Sequence, residues 1–331
     1  MNRRRLAQIL VSATLVGLLI KLGGGIHIVD ALNGTRLELI VLALMALTAT
    51  RFLAVWRWQI LLRAFGVAAS PWRLVQVIFV SGFLGTFLPS TIGADVLNTL
   101  ALARHVGGAA SSASLLILDR LLGLVAVFLT ALVAALLLLA WPVLGLEPAW
   151  VHATLLGCVL ALSLLGLVLH PGSGRLLARA AARVPWRWLT QLLERFHQAH
   201  GMVGRRASVG LSVVTVAIVS QFASALAFFW LGQALALPIT FVSCAIALPV
   251  FYVLAMLPVS LGGIGIEEGV LAGLVMASGG TVHQGAALAL LYRVTWTTTL
   301  LPGAVLFALG GFARRSKREL SGRTVEMGRV L

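Results

Sequence analysis

A short motif of proline, serine and glycine that ends on a carboxylate occurs twice in this chain, each time inside a long apolar stretch. The first copy runs from Leu88 to Asp95, and the second runs from Leu257 to Glu268. A broken helix with an acid group at membrane depth is tolerated only where protein or a wet cavity surrounds it. We interpret the two copies as the working site of a transporter. The candidate site residues in the motifs are Pro89, Ser90, Gly93, Asp95, Pro258, Ser260, Gly262, Gly263, Gly265, Glu267 and Glu268.

Composition indicates that most of the chain lies in a membrane. Hydrophobic residues make up 60% of the 331 residues and charged residues 11%, and the mean hydropathy is +1.02. These values exclude a soluble domain and predict an all-α integral membrane protein. The formal net charge of +15 comes from basic residues between apolar runs. The positive-inside rule explains their position, so we predict no nucleic-acid partner.

Residues that carry redox, metal or nucleophilic chemistry form no recognisable motif. Cys158 and Cys244 lie in apolar stretches, and neither has a partner at motif spacing. Glu194, His197 and His200 share a helical face, but they lie in an arginine-rich segment that predicts an amphipathic helix against anionic lipid. The sequence therefore predicts no catalytic residue, no metal site and no cofactor, and the protein is not expected to be an enzyme.

The apolar stretches divide into about six full spans and two interrupted segments. A span needs about 20 apolar residues to cross a hydrocarbon core of about 30 Å. The stretches that fit are 6–22, 37–56, 115–140, 150–169, 208–231 and 284–311. Segments 72–104 and 240–278 each carry one motif near the middle, and each is too long for one span and too broken for two. We predict that both form re-entrant hairpins of two half-helices.

Charge predicts the orientation of this single polytopic domain, residues 1–331. Arg3 to Arg5 precede an apolar run without a clear cleavage site, so we expect a retained first span with a cytoplasmic N terminus. The basic residues on the same side are Arg57, Arg63, Arg73, the arginines from Arg175 to Arg206 and those from Arg314 to Arg329. The basic loop 170–206 and the basic tail 312–331 are then cytoplasmic. The two hairpins enter from opposite faces, which predicts an inverted-topology repeat.

An arginine in the last span needs an acidic partner. Arg293 lies about nine residues into that span, about 14 Å deep at 1.5 Å per residue. An ionisable group there costs about 2.5 to 3.5 kcal/mol on insertion scales. Glu267 or Glu268 is the nearest candidate partner. Such a pair either fixes the helix register or contacts a polar headgroup, and the helix break beside it favours the second role.

Three further ionisable residues have two interpretations each, and a glycine stripe has one. Asp95 stands at the start of a half-helix, where it either caps free N–H groups or serves the site. Asp119 and Arg120 lie near the cytoplasmic end of the third span, where interfacial anchoring and lipid handling are both open. Glycines recur every fourth residue after the second motif, which predicts close approach of another helix. The stripe consists of Gly265, Gly269 and Gly273.

These motifs resemble a known family. The segments Phe87 to Asp95, Leu118 to Gly123 and Pro258 to Gly265 with Glu268-Gly269 are similar to the flippase-like transmembrane family related to the membrane domain of lysylphosphatidylglycerol synthetase. The resemblance covers nearly the whole chain. It implies a bacterial or archaeal inner-membrane protein that moves lipids or lipid-linked molecules between leaflets. Because only a short basic tail follows Arg314, the chain resembles stand-alone members, and we do not expect lipid aminoacylation.

Two departures from the family pattern bear on headgroup preference. The family commonly has arginine where this chain has Asn98 and Glu267. With fewer positive groups facing the carboxylates, we predict that zwitterionic, cationic or neutral sugar-bearing lipids are preferred over strongly anionic ones. Protonation of one carboxylate, favoured by burial and like charge, is a hypothesis for coupling to a proton gradient.

Three classes of function remain open. A lipid flippase or transporter is favoured, because inverted broken helices with charges at the midplane suit the passage of a polar headgroup. A non-transporting accessory of an envelope lipid or glycolipid pathway is the alternative. An intramembrane lipid-modifying enzyme needs a nucleophile or metal that the sequence does not offer. The expected partners are membrane lipids, either phospholipid or lipid-linked sugar, and the sequence leaves oligomerisation open.

Overall fold

The computed structural model describes residues 35–86, 92–103, 106, 108–140, 148–170, 207–255 and 266–309. Within these residues the chain forms ten α-helices and no strand, which confirms the all-α class for this part of the protein. The helices are α1 (Leu37–Ala64), α2 (Pro71–Gly85), α3 (Ile92–Ala103), α4 (Ala109–Ala140), α5 (Pro148–Val168), α6 (Ala207–Ala234), α7 (Phe241–Ala255), α8 (Ile266–Ala277), α9 (Val282–Thr298) and α10 (Leu301–Ala308).

Four helices are long and apolar enough to cross a membrane. They are α1, α4, α5 over Val151–Val168 and α6 over Ser208–Ala234. Leu156, Leu160 and Leu164 on α5 are each at least 60% exposed. A continuous exposed leucine surface is stable against lipid rather than water. These helices match four of the predicted spans and make the protein a multi-pass membrane protein; predicted span 6–22 lies outside the described residues.

Helix α1 continues past the predicted end of its span, and this corrects the place of Arg57. The prediction ended the span at residue 56 and put Arg57 in a cytoplasmic segment, but α1 runs on to Ala64. The Arg57 side chain is only 14% exposed and pairs with Asp119. Because a carboxylate neutralises it inside the protein, Arg57 has no need of an aqueous segment. Arg63, in the last turn of α1, is exposed.

Each interrupted segment contributes two described helices, one on either side of its motif core. The first segment forms α2 and α3, and the second forms α7 and α8, with the two helices of each segment packed together. The motif cores lie between the helices and outside the described residues, as do Pro89, Ser90, Pro258 and Ser260. Each second helix leads into a long helix through a turn with a glycine in the left-handed region, Gly108 at φ 120° or Gly279 at φ 86°.

The last predicted span, 284–311, is not continuous. It is divided into α9 and α10, with Pro302 at the start of α10. Proline removes the helical hydrogen bond to the carbonyl four residues earlier, here that of Thr298, and its ring crowds that carbonyl. Helix α10 then packs against α2. The contact needs Gly303, because any Cβ there would overlap the Phe79 carbonyl.

No described helix approaches the glycine stripe on α8. A Cβ at Gly269 or Gly273 would meet no described heavy atom within 4 Å, and both residues are exposed. The described helices therefore do not make the predicted close approach at these two positions, and Gly265 lies outside the described residues. Helix α8 instead turns another face to α9, where Gly285 packs against the backbone of Ala272. Spacing alone did not distinguish a packing face from a bare one.

The helices form two sets along the chain, α1 to α5 and α6 to α10, with matching neighbours. Helices α1 and α6 lie against each other at the centre and run antiparallel, since the Arg36 N–H donates to the Ala234 carbonyl at 3.3 Å. Helix α2 packs on α1 as α7 packs on α6. Helix α4 contacts α6 and α7, while α9 contacts α1 and α10 contacts α2. The apolar cores among the described residues include one around Leu61 and Leu115 and one around Phe228.

Candidate functional site

The first motif ends in an ion pair between α3 and α4. Asp95 lies in the first turn of α3, where a carboxylate also interacts favourably with the helix dipole. Its Oδ1 lies 2.7 Å from Nη2 of Arg120. The two side chains are 33% and 45% exposed. Two residues that the sequence marked separately therefore form one site.

The second motif ends in an ion pair of the same kind between α8 and α9. Nε of Arg293 donates to Oε1 of Glu268 at 2.7 Å. The Glu268 side chain is 11% exposed and the Arg293 side chain 24%. Of the two carboxylates considered as partners for Arg293, the structure pairs it with Glu268; the side chain of Glu267 lies outside the described residues.

The two pairs occupy equivalent positions. In each pair the arginine follows its carboxylate by 25 residues. Arg120 is the twelfth residue of α4, and Arg293 is the twelfth residue of α9. Each pair thus ties the short helix after a motif to the helix that follows it.

A third ion pair joins α1 to α4. Nη2 of Arg57 donates to Oδ2 of Asp119 at 2.7 Å, and the Trp58 indole donates to the same oxygen at 3.3 Å. Asp119 is only 4% exposed, so it lies in the protein interior rather than at an interface with water. Gly123, one turn further along α4, leaves room for the Arg57 guanidinium. This geometry is that of a structural bridge between helices.

A fourth arginine, Arg51, has a different environment. It lies about 21 Å along α1, which is about 42 Å long at 1.5 Å per residue. Its guanidinium carbon lies 3.8 Å from the ring centroid of Trp296 on α9. Nε and Nη2 are buried and have no hydrogen-bond partner within the described part of the chain. Sequence analysis missed Arg51, although an arginine in the middle of predicted span 37–56 was a visible signal.

A cluster of aromatic rings packs around Tyr292, which contacts Trp296. Tyr292 stacks on Trp296 with the centroids 6.0 Å apart. Its ring also meets Phe228 and Phe251 edge to face, at 5.0 and 5.5 Å. Such contacts hold the orientation of each ring. The face that Trp296 offers to Arg51 is therefore supported by α6, α7 and α9 together.

Several buried polar side chains have oxygens without a hydrogen-bond partner among the described residues. Asn98, one of the departures from the family pattern, is 9% exposed. The residues with such oxygens include Asn98, Ser81, Ser112 and Gln221. Buried polar atoms are normally satisfied by protein, water or ligand. The described protein groups therefore leave these four oxygens unsatisfied inside the helix packing.

The charges alter the basis of the headgroup prediction. That prediction assumed an excess of carboxylates, but Asp95 and Glu268 are each neutralised by an arginine. The like-charge argument for proton coupling likewise loses its basis at these two carboxylates. The candidate metal set Glu194, His197 and His200 lies outside the described residues.

Long apolar helices with lipid-facing surfaces and internal ion pairs define a multi-pass α-helical membrane protein. The family described as the lysylphosphatidylglycerol synthase TM region matches residues 5–303. The chain belongs to this family, which confirms the resemblance seen in its motifs and makes it a lipid-related membrane protein. Among curated proteins, no match to the chain is found.

Proposed function

We propose that this protein moves a phospholipid or a lipid-linked molecule between the two leaflets of the membrane. The observation that carries the proposal is the equivalence of the Asp95–Arg120 and Glu268–Arg293 pairs, each beside a broken helix. A polar headgroup crossing the hydrocarbon core needs polar groups along its path, and paired charges supply them without an uncompensated cost.

In this proposal the two helix sets form an inverted repeat, and α2 with α3 and α7 with α8 are re-entrant hairpins. The antiparallel contact of α1 with α6 supports the inversion, since these are the first described helices of the two sets. The short lengths of the hairpin helices support re-entry. Inverted repeats alternate access by rocking one half against the other around a central site.

The two ion pairs differ in exposure, which supports alternation. The Asp95–Arg120 pair is about a third to a half exposed, whereas the Glu268–Arg293 pair is largely covered. Two equivalent sites that open alternately differ in this way in any one state. In the proposed opposite state, the second pair opens and the first is covered.

The proposal places the protein in the cytoplasmic membrane of a bacterium or archaeon, with both termini in the cytoplasm. Family membership supports the membrane, and the basic segments support the orientation. The first hairpin then opens toward the cytoplasm and the second toward the outer face. No chemical transformation of the lipid forms part of the proposal.

Leaflet exchange in liposomes tests this function. Purified protein is reconstituted with labelled phospholipids and exchange is followed by quenching of the outer leaflet. We expect wild type and Arg63→Gln to exchange lipid faster than empty liposomes, and Asp95→Asn and Glu268→Gln to be slower. Exchange by wild type that equals the empty liposomes, with folded protein, would favour the accessory role instead.

A further inference from the structure

Arg51 and Trp296 lie where the two helix sets meet, Arg51 on α1 of the first set and Trp296 on α9 of the second. We infer that they form a receptor for the phosphate group of a lipid during its passage. The inference rests on the proposed transport function and adds to it the group on the lipid that is recognised. Asp95, Arg120, Glu268 and Arg293 are not part of this receptor.

The geometry of the Arg51 guanidinium leaves one edge available. Its face is covered by the Trp296 ring at 3.8 Å. Nε and Nη2, which form one edge of the guanidinium plane, are both buried and have no hydrogen-bond partner in the described chain. This edge donates two parallel hydrogen bonds, and it matches two oxygens of a phosphate or carboxylate.

Charge selects an anion for this edge. Three other arginines of the described helices, Arg57, Arg120 and Arg293, each lie 2.6 to 2.7 Å from a carboxylate oxygen. Arg51 has no such partner among the described side chains. A buried cation without a counter-charge is costly, and at membrane depth such a residue marks a substrate pathway. A lipid phosphate at this depth supplies the missing negative charge.

The position of the receptor couples phosphate binding to the motion of the two helix sets. The Arg51 guanidinium rests on a ring from the other helix set, and that ring is held by Tyr292. Rocking of one set against the other therefore changes the shape of the receptor. A phosphate bound in one state is released in the other, which is what a carrier requires.

Lipid binding to the purified full-length protein tests the inference. The probes are phosphatidylglycerol, glucosyl diacylglycerol with the same acyl chains, and inorganic phosphate, measured by native mass spectrometry and competition. We expect Arg51→Gln to weaken phosphatidylglycerol binding about tenfold or more and to leave the glucosyl lipid unchanged. Arg51→Lys should keep part of the affinity, and Arg63→Gln should keep all of it. Equal loss for both lipids, or no loss for either, would overturn the phosphate receptor.

Thermal unfolding without added lipid separates the receptor from an internal ion pair. An unpartnered Arg51 predicts that Arg51→Gln leaves the unfolding midpoint unchanged or raises it. If Arg51→Gln lowers the midpoint and Glu267→Gln restores it, Glu267 is the partner and the inference is wrong. Binding of inorganic phosphate that is as tight as that of the lipid would assign the site to a free anion and also overturn it.

Leaflet exchange distinguishes failure of the inference from failure of the proposed function. If wild type exchanges phosphatidylglycerol and Arg51→Gln does so equally well with unchanged binding, the receptor fails while transport stands. If wild type binds phosphatidylglycerol through Arg51 but exchanges no lipid, transport fails and the receptor stands as a binding site. Loss of phosphatidylglycerol exchange alone in Arg51→Gln supports both.

Discussion

At the scale of single residues, burial ranks the ion pairs. Arg57 and Asp119 are the most covered, at 14% and 6% exposed, and Trp58 adds a hydrogen bond to the same carboxylate. The Asp95–Arg120 pair is much more open. Removing one partner of a buried pair destabilises the protein far more than removing one partner of an exposed pair, because the remaining buried charge is left without compensation. The Arg57 pair therefore holds helices together, whereas the proposed function assigns passage of the headgroup to the two motif pairs.

Arg57→Gln should lower the free energy of unfolding by about 3 to 5 kcal/mol, since it leaves Asp119 buried without its partner. Arg63 on the same helix is exposed, so Arg63→Gln should change the free energy of unfolding by less than about 0.5 kcal/mol. Unfolding in mild detergent, followed by circular dichroism, measures both. Equal stability of the two variants would mean that the bridge contributes nothing.

Coupling between Arg293 and Glu268 can be measured directly. Arg293→Gln removes the guanidinium that Glu268 contacts in its 11% exposed position, so the variant should lose both stability and lipid exchange. Adding Glu268→Gln should restore much of the stability, whereas adding Glu267→Gln should not. A double-mutant cycle on unfolding free energy gives the coupling. Additive effects would remove this pair from the mechanism.

Sequence reasoning singled out Arg293 by its depth in the last span and left Glu267 and Glu268 as its candidate partners. It did not pair Asp95 with Arg120, and it missed Arg51 and the Arg57–Asp119 bridge. The reason is physical: a pair such as Arg57–Asp119 spans 62 residues of sequence. Only the packing of α1 against α4 brings the two side chains together, and no local pattern encodes that contact.

At the scale of helices, hydrophobic length predicted where spans lie but not where they end or break. Four spans and the two short helices of each motif segment were predicted, since length and Pro/Gly content are local properties. The extension of α1 to Ala64 and the division of α9 from α10 were not. Each depends on a tertiary contact, the neutralisation of Arg57 in one case and the seat of α10 on α2 at Gly303 in the other.

Gly303→Ala should destabilise the protein by about 1 to 3 kcal/mol, because the added methyl group overlaps the Phe79 carbonyl and forces α10 away from α2. Gly273→Ala is the matched control, since its added methyl group meets open space and alanine favours the helix. Unfolding midpoints of the two variants should move in opposite directions. A tolerated Gly303→Ala would mean that α10 is not seated on α2.

At the scale of the whole molecule, the proposed inversion makes a prediction about the two turns that follow the hairpins. Ala109 and Ala277 are exposed and lie beside these turns. With Cys158 and Cys244 replaced by serine, Ala109→Cys should react with impermeant thiol reagents from the cytoplasmic side. Ala277→Cys should react from the outer side. Labelling of both cysteines from one face would exclude the inverted repeat. Labelling at Ser90→Cys and Ser260→Cys extends the same test to the two motifs.

The pairing of charges also decides how the membrane potential acts on the protein. The potential does work only on net charge that changes depth, about 2.3 kcal/mol per elementary charge per 100 mV. Asp95 with Arg120, and Glu268 with Arg293, are each neutral as units, so moving them costs no electrical work. Arg51 has no carboxylate partner among the described side chains, so its charge is one on which the field acts. In the proposed transport, an anionic lipid bound there cancels its charge and should make the movement of the loaded site independent of voltage, whereas a zwitterionic lipid leaves one positive charge on which the potential acts.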